Sequence, residues 1–209
     1  KLVISNVSFT LQAGSALGVI GPSASGKSSL VRALTAVWPI YRGSVRLDGA
    51  ALDQWSDEDR GRHLGYLPQE IELFAGSVSD NIARFRENPD AADVIEAAKA
   101  AGVHDLILRL PNGYDTDIGL SGSMLSAGQR QRIGLARALF GKPFLVVLDE
   151  PNSNLDSEGE VALTDAIIGI RKRGGIVIVV AHRPSALAAV DFVLMMKDGG
   201  LAAFGPKDE

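Results

Sequence analysis

Eight consecutive residues near the start of the chain have the types and spacing needed to hold a phosphate group. They are Gly21, Pro22, Ser23, Ala24, Ser25, Gly26, Lys27 and Ser28, which match the pattern G-x-x-x-x-G-K-[ST]. Glycine lets backbone N–H groups curl around an anion without a side-chain clash. Lys27 supplies a cation for the β- and γ-phosphates of a nucleotide, and the Ser28 hydroxyl suits Mg²⁺, which prefers oxygen. We call residues 21–28 the phosphate loop and include Ser29 among the nucleotide-binding candidates.

The position of this loop between elements supports that interpretation. Residues 15–20 are typical of a strand, and residues 27–38 are typical of a helix with one apolar face. A helix N-terminus adds free N–H donors and a positive dipole end. The alternative is a chance glycine turn before a helix, on the order of 1% for a chain of this length. The loop alone does not separate kinases, GTPases, motors and transporters.

Two carboxylates follow an apolar run later in the chain. Residues 144–148 predict a buried strand, and Asp149 and Glu150 come directly after it. Ligands of open α/β sheets gather at the carboxyl ends of strands. Asp149 is therefore a candidate to hold Mg²⁺, directly or through water, and Glu150 to orient or deprotonate an attacking water. The alternative is that both acids only begin a polar turn before Pro151.

Strand-like apolar runs alternate with helical patterns, which predicts an α/β fold with a mainly parallel sheet. Strands are predicted at residues 15–20, 44–47, 144–148, 176–180 and 192–196, and residues 1–11 also look like a strand. Helices are predicted at residues 27–38, 90–101, 104–110, 127–140 and 158–173. The simplest organisation is a sheet-containing core made of residues 1–76 and 141–209, with a helical subdomain at residues 77–140 inserted between them.

Composition excludes several classes of protein. The chain has 209 residues, 46% of them hydrophobic, which is enough for a well-buried core. With a net charge of -4, the chain lacks the excess of basic residues that is typical of a nucleic-acid binder, so no nucleic-acid partner is expected. It has no cysteine and no apolar run near the roughly 20 residues that span a bilayer. Because residues 1–11 already look like a strand, we expect natural sequence to precede them.

The segment at the start of the helix predicted at residues 127–140 is the most specific motif. It reads Leu125-Ser126-Ala127-Gly128-Gln129. Ser126 can cap the helix, and the small residues allow an anion to approach the backbone. The segment resembles the Leu-Ser-Gly-Gly-Gln signature of ABC ATPases, with Ala127 in place of the first glycine. The resemblance implies a RecA-like phosphate-loop core that binds ATP and Mg²⁺. It also implies a head-to-tail dimer in which Ser126, Gly128 and Gln129 of one copy contact the γ-phosphate held by the other.

Three further residues match motifs of that family in the expected order. Gln69 matches the glutamine that senses Mg²⁺ and attacking water, and His182 matches the histidine that contacts the γ-phosphate. Asp156 ends a segment that matches the family's loop after the carboxylate strand, here the strand predicted at residues 144–148 and followed by Asp149 and Glu150. Asn154 stands where alanine is common in that loop. Taken singly, such a Gln or His is more often a surface or structural residue. The resemblance implies catalytic roles for Glu150, His182, Gln69 and Lys27, Mg²⁺ coordination by Ser28, Gln69 and Asp149, and nucleotide contact by Asp156.

A subtype within the family is indicated by longer stretches. Residues 65–78, Asn81 and Ile82 resemble exporter-type domains, where this stretch belongs to a groove that receives a coupling helix of a membrane domain. Ile71, Leu73 and Phe74 are candidates for that groove or, alternatively, for the core. Trp38-Pro39 and residues 43–49, 151–156 and 181–184 look like bacterial type I secretion ATPases of the protease-exporting kind.

This narrower resemblance implies ATP-driven export of a protein from the cytoplasmic face of the bacterial inner membrane. The partners would be a second copy, a fused or associated transmembrane domain, a periplasmic adaptor and an outer-membrane channel. Alternatives are an exporter of lipid or small molecules, or a soluble ABC ATPase, although neither a coiled-coil insertion nor a tandem copy is present. The signature and His182 argue against a phosphate-loop kinase.

Two departures from the family pattern are evident. Exporter domains carry an adenine-stacking aromatic on a loop that would lie upstream of Lys1. Residues 119–124 lack the charged pattern usual in the segment before the signature. We therefore expect this chain to hold the triphosphate better than the base.

Overall fold

The structure is a computed structural model that describes residues 3–181 and 184–208, with the backbone alone at residues 184 and 185. Its eight strands are β1 Ala16–Ile20, β2 Arg46–Leu47, β3 Ala50–Ala51, β4 Leu64–Leu67, β5 Leu145–Asp149, β6 Ile176–Val180, β7 Phe192–Lys197 and β8 Gly200–Pro206. Six of them form one sheet in the order β4-β5-β6-β1-β7-β8, while β2 and β3 form a separate hairpin. All neighbours in the large sheet are parallel except β7 and β8.

The helices lie between these strands in the chain. They are α1 Lys27–Leu34, α2 Asp57–His63, α3 Val78–Ile82, α4 Ala91–Ala100, α5 His104–Leu108, α6 Ala127–Leu139 and α7 Ser157–Lys172. Short 3₁₀ turns occur at Leu52–Gln54, Gly113–Asp115, Leu120–Gly122 and Pro184–Leu187. Four consecutive helices, α3 to α6, separate β4 from β5. Among the described residues, no helix is both long and apolar enough to cross a membrane.

Apolar side chains cover both faces of the sheet because parallel strands are buried on both sides. On one face, α1 packs Leu30, Val31 and Leu34 against alternate residues of the strands. On the other face, α7 and the helices between β4 and β5 pack against the remaining residues, Val146 and Leu148 among them. The successive residues of β5 thus point to opposite faces, and both faces are closed to water.

Acidic side chains cap the N-termini of two of the longer helices. Asp90 accepts from the backbone N–H of Ala92 at the start of α4. Asp156 accepts from the N–H of Gly159 at the start of α7. The predicted helix at residues 27–38 is shorter than expected and ends at Leu34. Ala36 there adopts a left-handed conformation (φ 56), which no α-helix can contain.

The sequence prediction of a strand at residues 1–11 is wrong for its described part. Residues 3–11 carry no strand, although Ile4, Val7, Phe9 and Leu11 pack against the core. An alternating pattern identifies the buried face, but a strand also needs a neighbour that supplies ladder hydrogen bonds. Conversely, the sequence analysis did not predict three elements, because their apolar patterns are too brief or too weak. They are the short strand β4, the edge strand β8 and the polar helix α2.

Candidate nucleotide site

The phosphate loop joins β1 directly to α1. Gly21 (φ 148) and Gly26 (φ 98) adopt backbone conformations that disfavour a side chain, and Gly26 stands at the N-cap of α1. The free N–H groups of the first helical turn therefore face the hollow of the loop. Lys27 is 6% exposed, and its Nζ donates to the carbonyl oxygens of Gly21 and Pro22, each at 2.9 Å. The ammonium group is thus held across the loop, where its positive charge can interact with a bound phosphate.

Asp149 ends β5 beside this loop and is 2% exposed. The Ser28 hydroxyl lies within hydrogen-bonding reach of its carboxylate, while Oδ1 has no hydrogen-bond partner among the described residues. Desolvation by burial raises the pKa of Asp149, and the charge of Glu150 adds to the rise. Ser28, Lys27 and Arg32 oppose it without cancelling it. The structure thus brings together two of the three predicted Mg²⁺ ligands, Ser28 and Asp149.

That oxygen set fits Mg²⁺ bound together with a nucleotide. Mg²⁺ normally takes one or two protein oxygens, and phosphates and water complete its octahedron. A buried carboxylate oxygen without a protein partner, next to a serine hydroxyl and a phosphate loop, offers that arrangement. Correspondingly, no cluster of three or more potential ligands drawn from His, Cys, Asp and Glu occurs in the described part of the chain.

Glu150 is placed at the edge of the sheet where three strands end. Its own backbone is left-handed (φ 51), and its N–H donates to the carbonyl of Val180 at 3.0 Å. The N–H of Ala181 donates to the carbonyl of Val19 at 3.2 Å. The carboxyl ends of β5, β6 and β1 are therefore fastened together beside the phosphate loop. The predicted catalytic residue His182 follows Ala181 and lies outside the described residues.

Gln69 approaches the same edge from the other side. β4 pairs with β5, with Leu67 opposite Leu148. Gln69 therefore lies two residues beyond the end of β4, at the same edge of the sheet where β5 ends with Asp149. Its side chain is exposed. Tyr66 of β4 lies near Asp149 and Arg32, and its pKa is raised, mainly by burial and secondarily by the Asp149 charge. β4 therefore carries Gln69 towards the nucleotide side of the sheet.

The signature segment starts α6 with a reciprocal cap. The Ser126 hydroxyl accepts from the N–H of Gln129 at 3.2 Å, and the Gln129 side-chain oxygen accepts from the N–H of Ser126 at 2.8 Å. Both polar side chains are thus engaged with their own helix end. A Cβ on Gly128 would lie 3.0 Å from the carbonyl of Asn154, so the glycine permits close packing on the loop after Glu150.

Two buried polar residues of α6 were not predicted as part of the site. Gln131 is 2% exposed, and its Nε2 donates to the Pro151 carbonyl at 3.0 Å. Arg132 pairs with the Asp156 carboxylate at 2.5 Å. The hydrogen bond from the Gly159 N–H lowers the pKa of Asp156, and Arg132 adds to this effect. The structure therefore fastens the signature helix to the loop after Glu150. Two adjacent polar residues on the inner side of a helix were the only signal in the sequence.

A cleft of about 380 Å³ lies beside the edge strand β4. Phe74 (59% exposed) and Phe85 (48%) form its apolar rim and contact each other edge to face. Asn81 is buried; its Oδ1 accepts from the Phe74 N–H and its Nδ2 donates to the Phe74 carbonyl, each at 2.9 Å. Leu73 is 2% exposed, and its place is in the core, whereas Phe74 faces the cleft. Burial lowers the pKa of Arg84, another lining residue, to about 10.

The phosphate loop, the carboxylate strand and the parallel sheet define the chain as a phosphate-loop ATPase with helices inserted before its carboxylate strand. Residues 4–153 match the family described as ABC transporter, so the chain belongs to that family. The predicted family, fold class and ATPase assignment are thereby confirmed.

Individual relatives agree with this membership. The chain is 68% identical over all 209 residues to the type I secretion system ATP-binding protein PrsD of Rhizobium meliloti (strain 1021), of which it covers 36%. It is 42% identical over 200 residues, or 96% of the chain, to the cyclolysin secretion/processing ATP-binding protein CyaB of Bordetella pertussis (strain Tohama I), of which it covers 28%. The chain thus spans about a third of the length of these curated relatives.

A solved structure has the same fold. A bacterial Atm1-family ABC exporter with ATP bound superposes with a TM-score of 0.88 at 34% sequence identity. The match covers 98% of this chain and 36% of the exporter chain.

Proposed function

We propose that this chain hydrolyses ATP to drive export of a protein through a membrane domain, as part of a type I secretion transporter. The observation that carries the proposal is the juxtaposition of Lys27, Ser28, Asp149 and Glu150 at one edge of the sheet. The 68% identity to a type I secretion ATP-binding protein supports the transport class. Residues 1–76 and 141–209 would form the RecA-like core, with residues 77–140 as the helical subdomain.

Catalysis rests on positioning and on charge stabilisation. The N–H groups at the start of α1 and the Lys27 ammonium hold the β- and γ-phosphates of ATP. Ser28 and Asp149, with Gln69 nearby, would hold Mg²⁺, which offsets negative charge on those phosphates. Glu150 orients the attacking water in line with the γ-phosphate and accepts its proton. His182 is proposed to contact the γ-phosphate.

The complete site would need a second copy of the chain. The hydrogen-bonded cap places Ser126, Gly128 and Gln129 at the N-terminus of α6, where N–H groups suit an anion. α6 packs on α3, α4 and β4, and the described hydrogen bonds of Ser126 and Gln129 stay within its own end. A head-to-tail dimer would bring this end, with Asp156, to the phosphate loop of the partner.

Coupling to transport would use the cleft beside β4. Phe74 and Phe85 offer an exposed apolar rim, and Glu70, Glu72 and Arg137 add charge around it. A helix of the membrane domain would dock there, at the cytoplasmic face of the bacterial inner membrane. A periplasmic adaptor and an outer-membrane channel would complete the export path.

The test is Glu150→Gln, with Glu158→Gln as a matched control. Glu158 is an exposed residue in the first turn of α7. We expect Glu150→Gln to bind ATP with Mg²⁺ and to lose at least about 100-fold in hydrolysis rate, because a general base contributes roughly 10²–10⁴-fold. It should also accumulate as an ATP-dependent dimer, measured by light scattering. Wild-type turnover in Glu150→Gln, or equal losses in both variants, would contradict the assigned role.

A further inference from the structure

The tip of the β7–β8 hairpin lies directly behind the phosphate loop. Its two residues, Asp198 (φ 50) and Gly199 (φ 78), join strands paired from Lys197 to Gly200. Two positive φ values in a two-residue hairpin loop are typical of a type I′ turn, for which Asp-Gly is favoured. We call Asp198–Gly199 the support turn. The sequence motifs for nucleotide binding end before it, and none of them includes it.

Several contacts join the end of this hairpin to the loop. The N–H of Gly199 donates to the carbonyl of Ser25 at 3.1 Å. A Cβ on Gly26 would lie 3.5 Å from the Gly199 Cα and 3.4 Å from Cε of Met196. A Cβ on Gly21 would lie 2.3 Å from the Met196 carbonyl oxygen. Both glycines of the phosphate loop therefore lie close to Met196 near the end of β7, and Gly26 also lies close to the support turn.

The bond to Ser25 has a directional consequence. In a trans peptide the C=O and the following N–H point in opposite directions. Because Gly199 holds the Ser25 carbonyl on the outer side of the loop, the N–H of Gly26 is directed to the inner side, where a phosphate would sit. The support turn thus fixes the orientation of a peptide group that the loop uses to bind an anion.

The support turn is itself held from the other side. The N–H of Ser5 donates to the Gly199 carbonyl at 2.9 Å. A Cβ on Gly199 would lie 2.4 Å from the Val3 carbonyl oxygen, which is backbone and cannot swing aside. Any side chain at position 199 must therefore displace either the turn or residues 3–5, and both displacements strain the bond to Ser25.

We propose that Gly199 is a positioning residue for ATP binding, which holds the phosphate loop in its anion-binding conformation from behind. The inference rests on the proposed use of that loop for ATP. It deepens that proposal, because it states that the conformation of the phosphate loop depends on a turn more than 170 residues away in sequence. The support turn does not touch the reacting atoms, so its effect falls on binding more than on the chemical step.

A matched pair of variants tests this proposal. Asp48 (φ 48) and Gly49 (φ 82) form another Asp-Gly turn, between β2 and β3, and a Cβ on Gly49 would meet nothing within 4 Å. Gly49→Ala therefore carries similar backbone strain without any contact to the phosphate loop. We expect Gly199→Ala to raise the Kd for ATP with Mg²⁺ about tenfold, and Gly49→Ala to leave it within about twofold. Turnover at saturating ATP should stay within about twofold of wild type in both.

Calorimetric titration of the folded variants, at a temperature well below unfolding, gives the Kd values. Equal ATP affinity in Gly199→Ala and wild type overturns the inference, as does an equal loss in both variants. Failure of the wild type to bind ATP would instead overturn the proposed function.

If Gly199→Ala does not fold, amide exchange on the wild type decides. ATP should slow exchange of the Gly199 N–H at least about fivefold while leaving Gly49 unchanged, because a bound phosphate holds the Ser25 carbonyl acceptor in place. Unchanged exchange at Gly199 in saturating ATP also overturns the inference.

Discussion

Asp149→Asn should stabilise the chain without ligand and destabilise it, relative to wild type, when MgATP is present. Asp149 is 2% exposed, and its Oδ1 has no partner among the described residues. Burial raises its pKa despite the opposing charges of Lys27 and Arg32, so the ionised form is disfavoured in the folded state. Asparagine has nearly the same shape and no charge. Removing the charge should therefore stabilise the apo chain by about 1 kcal/mol, or about 2–4 °C in Tm.

The pH dependence has a definite sign. The folded-state pKa lies above the ordinary value of 3.8, so the folded chain holds the proton more tightly than the unfolded chain does. The stability penalty is absent below the unfolded-state pKa and complete above the folded-state pKa. The gap in Tm between Asp149→Asn and wild type should consequently widen as pH rises from about 4 towards neutrality. Asp53→Asn, at an exposed residue, serves as the control and should show no such widening.

Ligand binding should reverse the order of stability. At a MgATP concentration about 100 times Kd, the wild type gains about 2.7 kcal/mol. Asp149→Asn lacks an anionic ligand for Mg²⁺ and should gain only what ATP alone provides. Differential scanning fluorimetry with and without Mg²⁺ measures both effects. A lower apo Tm for Asp149→Asn, or equal Mg²⁺-dependent stabilisation of both chains, would refute the reasoning.

Other substitutions should separate binding from helix stability. Lys27→Ala should abolish measurable ATP binding in calorimetry while retaining the native circular dichroism spectrum, because the described hydrogen bonds of its ammonium group go to carbonyls of the phosphate loop. Ser126→Ala should lower the free energy of unfolding by about 1 kcal/mol in urea titrations through loss of the α6 cap, whereas exposed Ser123→Ala should change it by less than about 0.5 kcal/mol. Gln131→Leu leaves the Pro151 carbonyl without its donor and should cost about 1–3 kcal/mol; an unchanged urea midpoint would show that this bond contributes nothing.

The sequence alone determined the chemistry of this protein to a large degree. The spacing in residues 21–28 demands a sharp glycine-containing turn before a helix, and the apolar run before Asp149 demands a buried strand. Both requirements are local, since they follow from backbone conformation and burial within a few consecutive residues. For that reason the phosphate loop, the carboxylate strand and the starts of α4, α6 and α7 were predicted close to where they lie.

Only the tertiary structure decided which distant groups meet. The bond between Gly199 and Ser25, the pairing of Arg132 with Asp156 and the packing of Leu73 in the core join segments far apart in sequence. No local pattern specifies such contacts, because an isolated glycine or arginine has the same propensity wherever the chain later folds. Residues 3–11 illustrate the converse, since they look like a strand in the sequence but form none in the structure, although Ser5 bonds the Gly199 carbonyl. Sequence thus determined what the site can bind, and the fold determined what holds the site in shape.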